Sequence, residues 1–288
     1  MRKYPGFSQT GWKCGSGFNL IELMVSMGIL ALLLLILASV VVHTLSIFQG
    51  FQHSKQTRQS GIQGLDMMAK DLQSALFPTK LSDQSSYQMI QNPSFLGDDY
   101  SNRDSLFWQG MGFQDDQVAD VVEFGYFIQW IVSSNRSKAV LRRMMIASDD
   151  KENYLLYRLP RQWLSEEMLT QLYPGDLHKS DRGVIAENVI ALWITLYGRE
   201  GEGGQELSEI SAPFDSRAAV LMPCLARISL VTVDDAAAAK ITPATMKIIR
   251  NLYNRESVDL FVKSLPREIR SGTAVFTTEV ALETQGRH

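Results

Sequence analysis

The 288-residue chain contains only two cysteines, Cys14 and Cys224, and four histidines. The cysteines lie far apart, and neither has metal-ligand spacing. With no cysteine pair in its body, the chain has to rest on a packed core. Cys224 sits in the apolar context AVLMPCLARISL and is expected to be an inert, buried thiol. His43, His53, His178 and His288 form no HExxH or other paired spacing. There is no GxSxG elbow. The glycines of GREGEGGQELSEISAPFDSR lack the Lys-Ser/Thr that closes a phosphate-binding loop, so this stretch reads as a long mobile loop. Acidic pairs occur at Asp98-Asp99, Asp115-Asp116, Asp149-Asp150 and Asp234-Asp235, none with EF-hand spacing. Solvated turns are the plainer reading, with Asp234 or Asp235 capping a helix. The five tryptophans, Trp12, Trp108, Trp130, Trp163 and Trp193, fall at strand or helix spacing and are expected in the core.

A basic surplus is also missing. Lys and Arg number 28 against 31 Asp and Glu, a net charge of −3. Discounting residues 1–17 leaves 25 basic against 31 acidic residues, which argues against a broad nucleic-acid surface. Arg136, Lys138, Arg142 and Arg143 are the one cluster that could supply a local basic patch.

Charge is wholly absent from Leu23 to Val42, a run of 20 residues. At ~1.5 Å per residue that run spans about 30 Å as a helix, the thickness of a bilayer core. Arg2, Lys3 and Lys13 precede it and no acid does, so the positive-inside tendency puts the N-terminus in the cytoplasm and the rest on the far side. Glu22 stands at the edge of the run. A charge within a membrane-length segment costs roughly 2.5–3.5 kcal/mol at the bilayer centre and less near the interface, which marks Glu22 as functional. A secretory signal peptide would have a shorter apolar stretch. An ordinary single-pass anchor would leave Glu22 unexplained.

Gly17-Phe18-Asn19-Leu20-Ile21-Glu22-Leu23-Met24-Val25 resembles the processing signal of the type IV pilin family. The resemblance implies cleavage after Gly17 by a prepilin peptidase, methylation of Phe18 at the new N-terminus, and Glu22 as the fifth residue of the mature chain. It further implies that the Glu22 carboxylate pairs with the Phe18 amine of a neighbouring subunit in a filament. The blocks VVEFGYFI, LLYRL, AENVIALWITLY, RISLVTVDDAAAAKI and FTTEVAL look like strand blocks of larger minor pilins and J-type minor pseudopilins, and the C protein of Verru/Chthon cassettes is the first subgroup they suggest. The implied partners are the peptidase, other pilin-like subunits and an inner-membrane assembly platform, with nucleic acid disfavoured. The implied location is the inner membrane, single-pass, with a periplasmic globular domain, and then the filament. No cofactor is implied, although some pseudopilins hold calcium in loops.

The expected organisation is a cleaved leader over 1–17, a transmembrane half-helix over 18–44, a periplasmic half over 45–77 and a globular domain over 78–288. Leu45, Phe48, Gln52, Ile62, Leu65, Ala69, Leu72 and Leu76 recur at helical spacing, and Phe77-Pro78 reads as the stop. Gly50, Gly61 and Gly64 are expected to bend this spine. Residues 81–104 read as loop with one short strand. Strands are expected at Val118–Val132, Ala139–Ala147, Asn153–Leu159, Val184–Tyr197, Leu225–Val233 and Thr273–Leu282. SEEMLTQLY, capped by Ser165, and Asp235–Leu265 read as helical, with Thr242-Pro243 a cap and first-turn proline. The fold class is α+β: a long N-terminal spine helix, half of it transmembrane, on a mostly antiparallel sheet domain with a late helical insertion. The functional reading is a structural minor pilin or pseudopilin subunit of a type IV pilus or type II secretion pseudopilus, not an enzyme. Its rivals are a DNA-uptake or surface-binding minor pilin and a membrane-anchored enzyme.

Overall fold

Helix α1 covers Leu20–Gln73 without a break, so Gly50, Gly61 and Gly64 do not interrupt it. The computed structural model describes residues 20–77, 87–93, 103–114, 117–148, 163–164, 183–200 and 206–282, with side chains described outside 42–57 and 113–120. The chain divides into two units, Met1–Gln52 and His53–His288. In the first, α1 is exposed throughout Leu20–Val41.

In the second unit α1 is amphipathic. Gly61, Gly64, Leu65, Met68 and Leu72 are buried, while Gln63, Asp66, Met67 and Lys70 are exposed. Ile62, expected on the buried face, is exposed, and Met68 takes its place. The buried glycines are contact points. A Cβ at Gly61 would come within 3.0 Å of Thr232 Cγ2 and 3.3 Å of the Phe276 ring, and one at Gly64 within 3.4 Å of Leu141. The helix stops at Gln73, ahead of the expected Phe77. Leu76 N–H donates to Gln109 C=O at 2.8 Å and Met111 N–H to Ser74 C=O at 2.9 Å, so the chain exchanges helical bonds for strand bonds at Ala75. That approach requires Gly110, where a Cβ would lie 2.7 Å from Ser74 Oγ.

Two antiparallel sheets follow. The six-stranded sheet has the order β5-β4-β3-β2-β1-β8, with β1 Met89–Gln91, β2 Leu106–Gln114, β3 Gln117–Val132, β4 Ser137–Ala147, β5 Val184–Glu187 and β8 Phe214–Asp215. The four-stranded sheet has the order β10-β9-β6-β7, with β6 Val189–Glu200, β7 Glu206–Ile210, β9 Pro223–Val233 and β10 Thr273–Ala281. One core joins Leu65, Met68 and Leu72 of α1 to Trp108, Phe124, Tyr126, Ile128 and Trp130 of the first sheet and to Leu192, Leu196, Ile228 and Leu230 of the second. Trp108, Trp130, Trp163 and Trp193 are all buried, as expected. The α+β class and the antiparallel sheets match the sequence reading.

Three further expectations fail. The single strand over 184–197 is two strands in different sheets, because Asn188 has a φ of 58° and turns the chain from one sheet to the other. The loop over 198–217 contains β7 and β8. Cys224 is half-buried. The expected strand at Asn153–Leu159, the helix SEEMLTQLY and its Ser165 cap lie outside the described residues.

The late helices form as expected, between β9 and β10. They are α2 Asp235–Ala238, α3 Pro243–Asn251, a 3₁₀ turn at Leu252–Asn254, α4 Val258–Ser264 and α5 Arg267–Arg270. Asp234 caps α2 by accepting from Ala237 N–H at 2.8 Å, and Thr242 caps α3 by accepting from Thr245 N–H at 3.2 Å. Met246, Ile249 and Tyr253 form the buried face of this segment.

Candidate functional site

Leu20–Val41 is 22 residues of helix, long and apolar enough to cross a membrane, and none of it is buried. Burial in protein therefore does not explain its hydrophobicity in this chain. Glu22 is the acidic residue in the first turn of the described helix. Gly17 and Phe18 lie outside the described residues.

Within the second unit α1 is fastened to the first sheet through charge. Arg143 on β4 donates from Nε to Asp71 Oδ2 at 2.6 Å and from its terminal nitrogen to Oδ1 at 3.0 Å. The Tyr126 hydroxyl on β3 donates to the same Oδ2. Burial, with Asp71 adding to it, pushes the Tyr126 hydroxyl well above its ordinary value, so it stays a donor. The Arg143 guanidinium also lies over the Phe124 ring at 5.4 Å.

The two sheets are joined by Asp104, which is buried just before β2. Its Oδ2 accepts from Ile194 N–H of β6 at 2.8 Å, and its Oδ1 from Asn92 at 2.9 Å and Gln91 at 3.2 Å. Gln91 also donates to Ile194 C=O at 2.8 Å. Side chains of one sheet thus satisfy a backbone edge of the other. Burial raises the Asp104 pKa despite these donors. Tyr253 repeats the pattern, donating to Ile190 C=O at 2.6 Å and accepting from Trp130 Nε1 at 3.2 Å.

The four basic residues singled out from sequence do not share a surface. Arg136 is exposed in the β3–β4 turn, and Lys138 is tied to Glu187 at 2.6 Å. Arg142 is fully buried and donates to Gln129, while Arg143 holds Asp71. Neighbours on a strand point to opposite faces, so Arg142 and Arg143 are separated by the sheet itself.

A cleft of about 250 Å³ lies beside the β3–β4 turn, lined by Ser137, Glu187, Asn188, Asp235 and Ile241 among others, with no histidine or cysteine. Among the described residues, no group of three or more His, Cys, Asp or Glu could hold a metal. Asp98-Asp99, Asp115-Asp116 and Asp149-Asp150 lie outside the described side chains, as do all four histidines. Asp71, Tyr126 and Asp104 were not singled out from sequence. Asp71 did carry a signal, as an acid on the buried side of α1's amphipathic half.

No family model matches the chain, and no curated protein does. Among solved structures, a type IV-like pilin from Thermus thermophilus is similar at 12% identity and a TM-score of 0.36, covering 79% of this chain and 97% of that one.

Proposed function

We propose that the chain is a membrane-anchored, pilin-like structural subunit rather than an enzyme, cut after Gly17 by a prepilin peptidase and methylated on Phe18. The observation that carries this reading is the exposed apolar helix Leu20–Val41, with a single carboxylate, Glu22, in its first turn and GFNLIELMV at its start. The exposed face can be buried in lipid, or against like helices once a subunit leaves the bilayer. In the second setting an unpaired carboxylate is costly, and the free amine of a neighbour's Phe18 relieves it. The pair then fixes the axial register between subunits.

The subunit enters a type IV pilus or type II secretion pseudopilus as a minor component, of the J-type or Verru/Chthon C type. Its partners are the peptidase, other pilin-like subunits and an inner-membrane platform. The N-terminus is cytoplasmic and the sheet domain periplasmic. The test is the mass of the amino-terminal peptide of the native protein recovered from membranes. Methylated Phe18 at the first position is expected, and a chain still beginning at Met1 overturns the reading.

A further inference from the structure

Contacts along α1 give the second unit a direction. Leu141 of β4 packs at Gly64 and Arg143 holds Asp71, so the start of β4 and the β3–β4 turn lie toward the amino-terminal side of α1. β10 has the same sense. Phe276 packs at Gly61, and Thr273 at its start lines a small pocket of about 50 Å³ with Arg58, Asp234 and Ser271. The helical insertion between β9 and β10 closes this end. Tyr253 bonds to Trp130 of β3 and to Ile190 of β6, and Ile241 C=O accepts from Ser137 N–H at 2.9 Å. The end of the second unit from which α1 leads back to the apolar helix is therefore built from the β3–β4 turn, α2 and the insertion.

The insertion is basic in a chain of net charge −3. From Lys240 to Arg270 it holds seven basic residues against three acidic ones. Arg58 of α1 and Arg136 of the turn add two more. Arg58, Arg136, Lys240 and Lys247 are exposed, and among the described residues none of the four is in an ion pair. The nearby acids are already engaged. Asp234 caps α2, Asp235 accepts from Asn188, and Glu187 holds Lys138. Two apolar side chains, Val132 beside the turn and Ile248 beside Lys247, are 44% and 50% exposed.

We propose that this end of the sheet domain rests on the anionic headgroups of the bilayer that α1 crosses. Cations with exposed apolar side chains among them suit a lipid interface. The membrane helix supplies the tether, so the contact forms within one molecule and a weak attraction suffices. As helix, Leu20 to Arg58 measures about 57 Å, against about 40–45 Å for a bilayer with its headgroups. A tilt of up to about 40°, within the range of membrane helices, takes up the difference and lowers the basic end onto the headgroups. The inference rests on the reading of α1 as a membrane helix and is independent of processing and assembly.

The test places the full chain, in a Cys14→Ser/Cys224→Ser background, in lipid nanodiscs that carry a headgroup nitroxide. A fluorophore is attached at Ser134→Cys in the β3–β4 turn, or at Val220→Cys just before the opposite end of β9. Val220 is 88% exposed, and Ser134 is exposed too. In discs of phosphatidylglycerol and phosphatidylcholine, quenching at residue 134 is expected to exceed that at residue 220 about twofold or more. The excess is expected to vanish in pure phosphatidylcholine, at high salt, and in Arg136→Glu/Lys240→Glu. Both of these side chains are exposed, and unchanged thermal unfolding checks that the variant folds. The proposal is overturned if residue 134 is quenched no more than residue 220, or if the excess survives any of the three changes. It is equally overturned if a short DNA duplex binds wild type and not the variant while residue 134 shows no excess, because the face then serves a nucleic acid. Incorporation into discs reports the membrane helix and the mass of the amino-terminal peptide reports processing, so failure of this contact is distinguishable from failure of the subunit reading.

Discussion

Asp71 of α1 and Arg143 of β4 form a two-pronged ion pair, with nitrogen–oxygen distances of 2.6 and 3.0 Å. Both side chains are largely shielded, at 13% and 23% exposure. Asp71→Ala would leave the guanidinium facing the Tyr126 hydroxyl without its counter-ion. A loss of roughly 2 kcal/mol in unfolding free energy is expected, less than for a fully buried pair because water still reaches Arg143. Tyr126→Phe should cost roughly 1.5–3 kcal/mol, because the hydroxyl donates to the Asp71 carboxylate and accepts from Arg143 Nε at 3.2 Å. Urea unfolding of the full chain in detergent measures both. An Asp71→Ala variant as stable as wild type would show that the pair does not fasten the helix.

Asn188 separates β5 from β6 with a φ of 58°, and its side chain donates to Asp235 at 2.7 Å. Two features are therefore separable by substitution. Asn188→Gly keeps the backbone conformation and loses only the side-chain bond. Asn188→Val loses both and places a β-branched residue in the left-handed region, a strain of order 1–3 kcal/mol. The valine variant is expected to melt below the glycine variant, and equal melting temperatures would remove backbone strain from the account.

These sites show which parts of the fold were legible. Strands with a strong apolar and β-branched signal, β3, β4, β9 and β10, appear where the pattern put them. The Asp234 and Thr242 caps were legible because capping is local chemistry. Strand β2 was not, because Phe107 and Trp108 are both buried, on opposite faces, and the period-2 alternation disappears. The split at Asn188 was missed for a different reason. VIAENVIALWITLY is apolar on both sides of it, and only the packing of two sheets decides that the chain must turn there. The Asp71–Arg143 pair spans 72 positions and Asp104–Ile194 spans 90, separations that no local pattern encodes.

Asp104 provides a pH test with a definite sign. Its pKa lies above the ordinary 3.8 in the folded chain, through burial first and despite the donors around it. The folded state therefore binds this proton more tightly than the unfolded state does. Stability from this group increases as pH falls through its folded pKa and levels off below 3.8. Asp104→Asn removes the titration and sets an amide nitrogen against donors from Ile194 or from Asn92 and Gln91. Relative to this variant, wild type is expected to gain stability as pH falls from neutral. Denaturant midpoints at matched pH values measure the difference, and one that stays constant with pH would refute it.

Glu22 is the remaining test, and it separates two steps of the proposed function. In the proposed function, peptidase recognition would depend on the residues around Gly17, whereas register between subunits would depend on a carboxylate four residues beyond the new amine. Glu22→Ala is therefore expected to be cut after Gly17 as wild type is, to remain in the membrane, and to be depleted from sheared or copurified assemblies. The apolar run Leu23–Val42 is untouched by this change, so membrane retention should not move. Glu22→Gln keeps the shape and removes the charge. It should behave like the alanine variant if pairing with the amine is the function, and like wild type if only side-chain packing matters. Quantifying each variant in the assembled fraction against its total membrane pool decides between them, and normal incorporation of Glu22→Ala would end the pairing account.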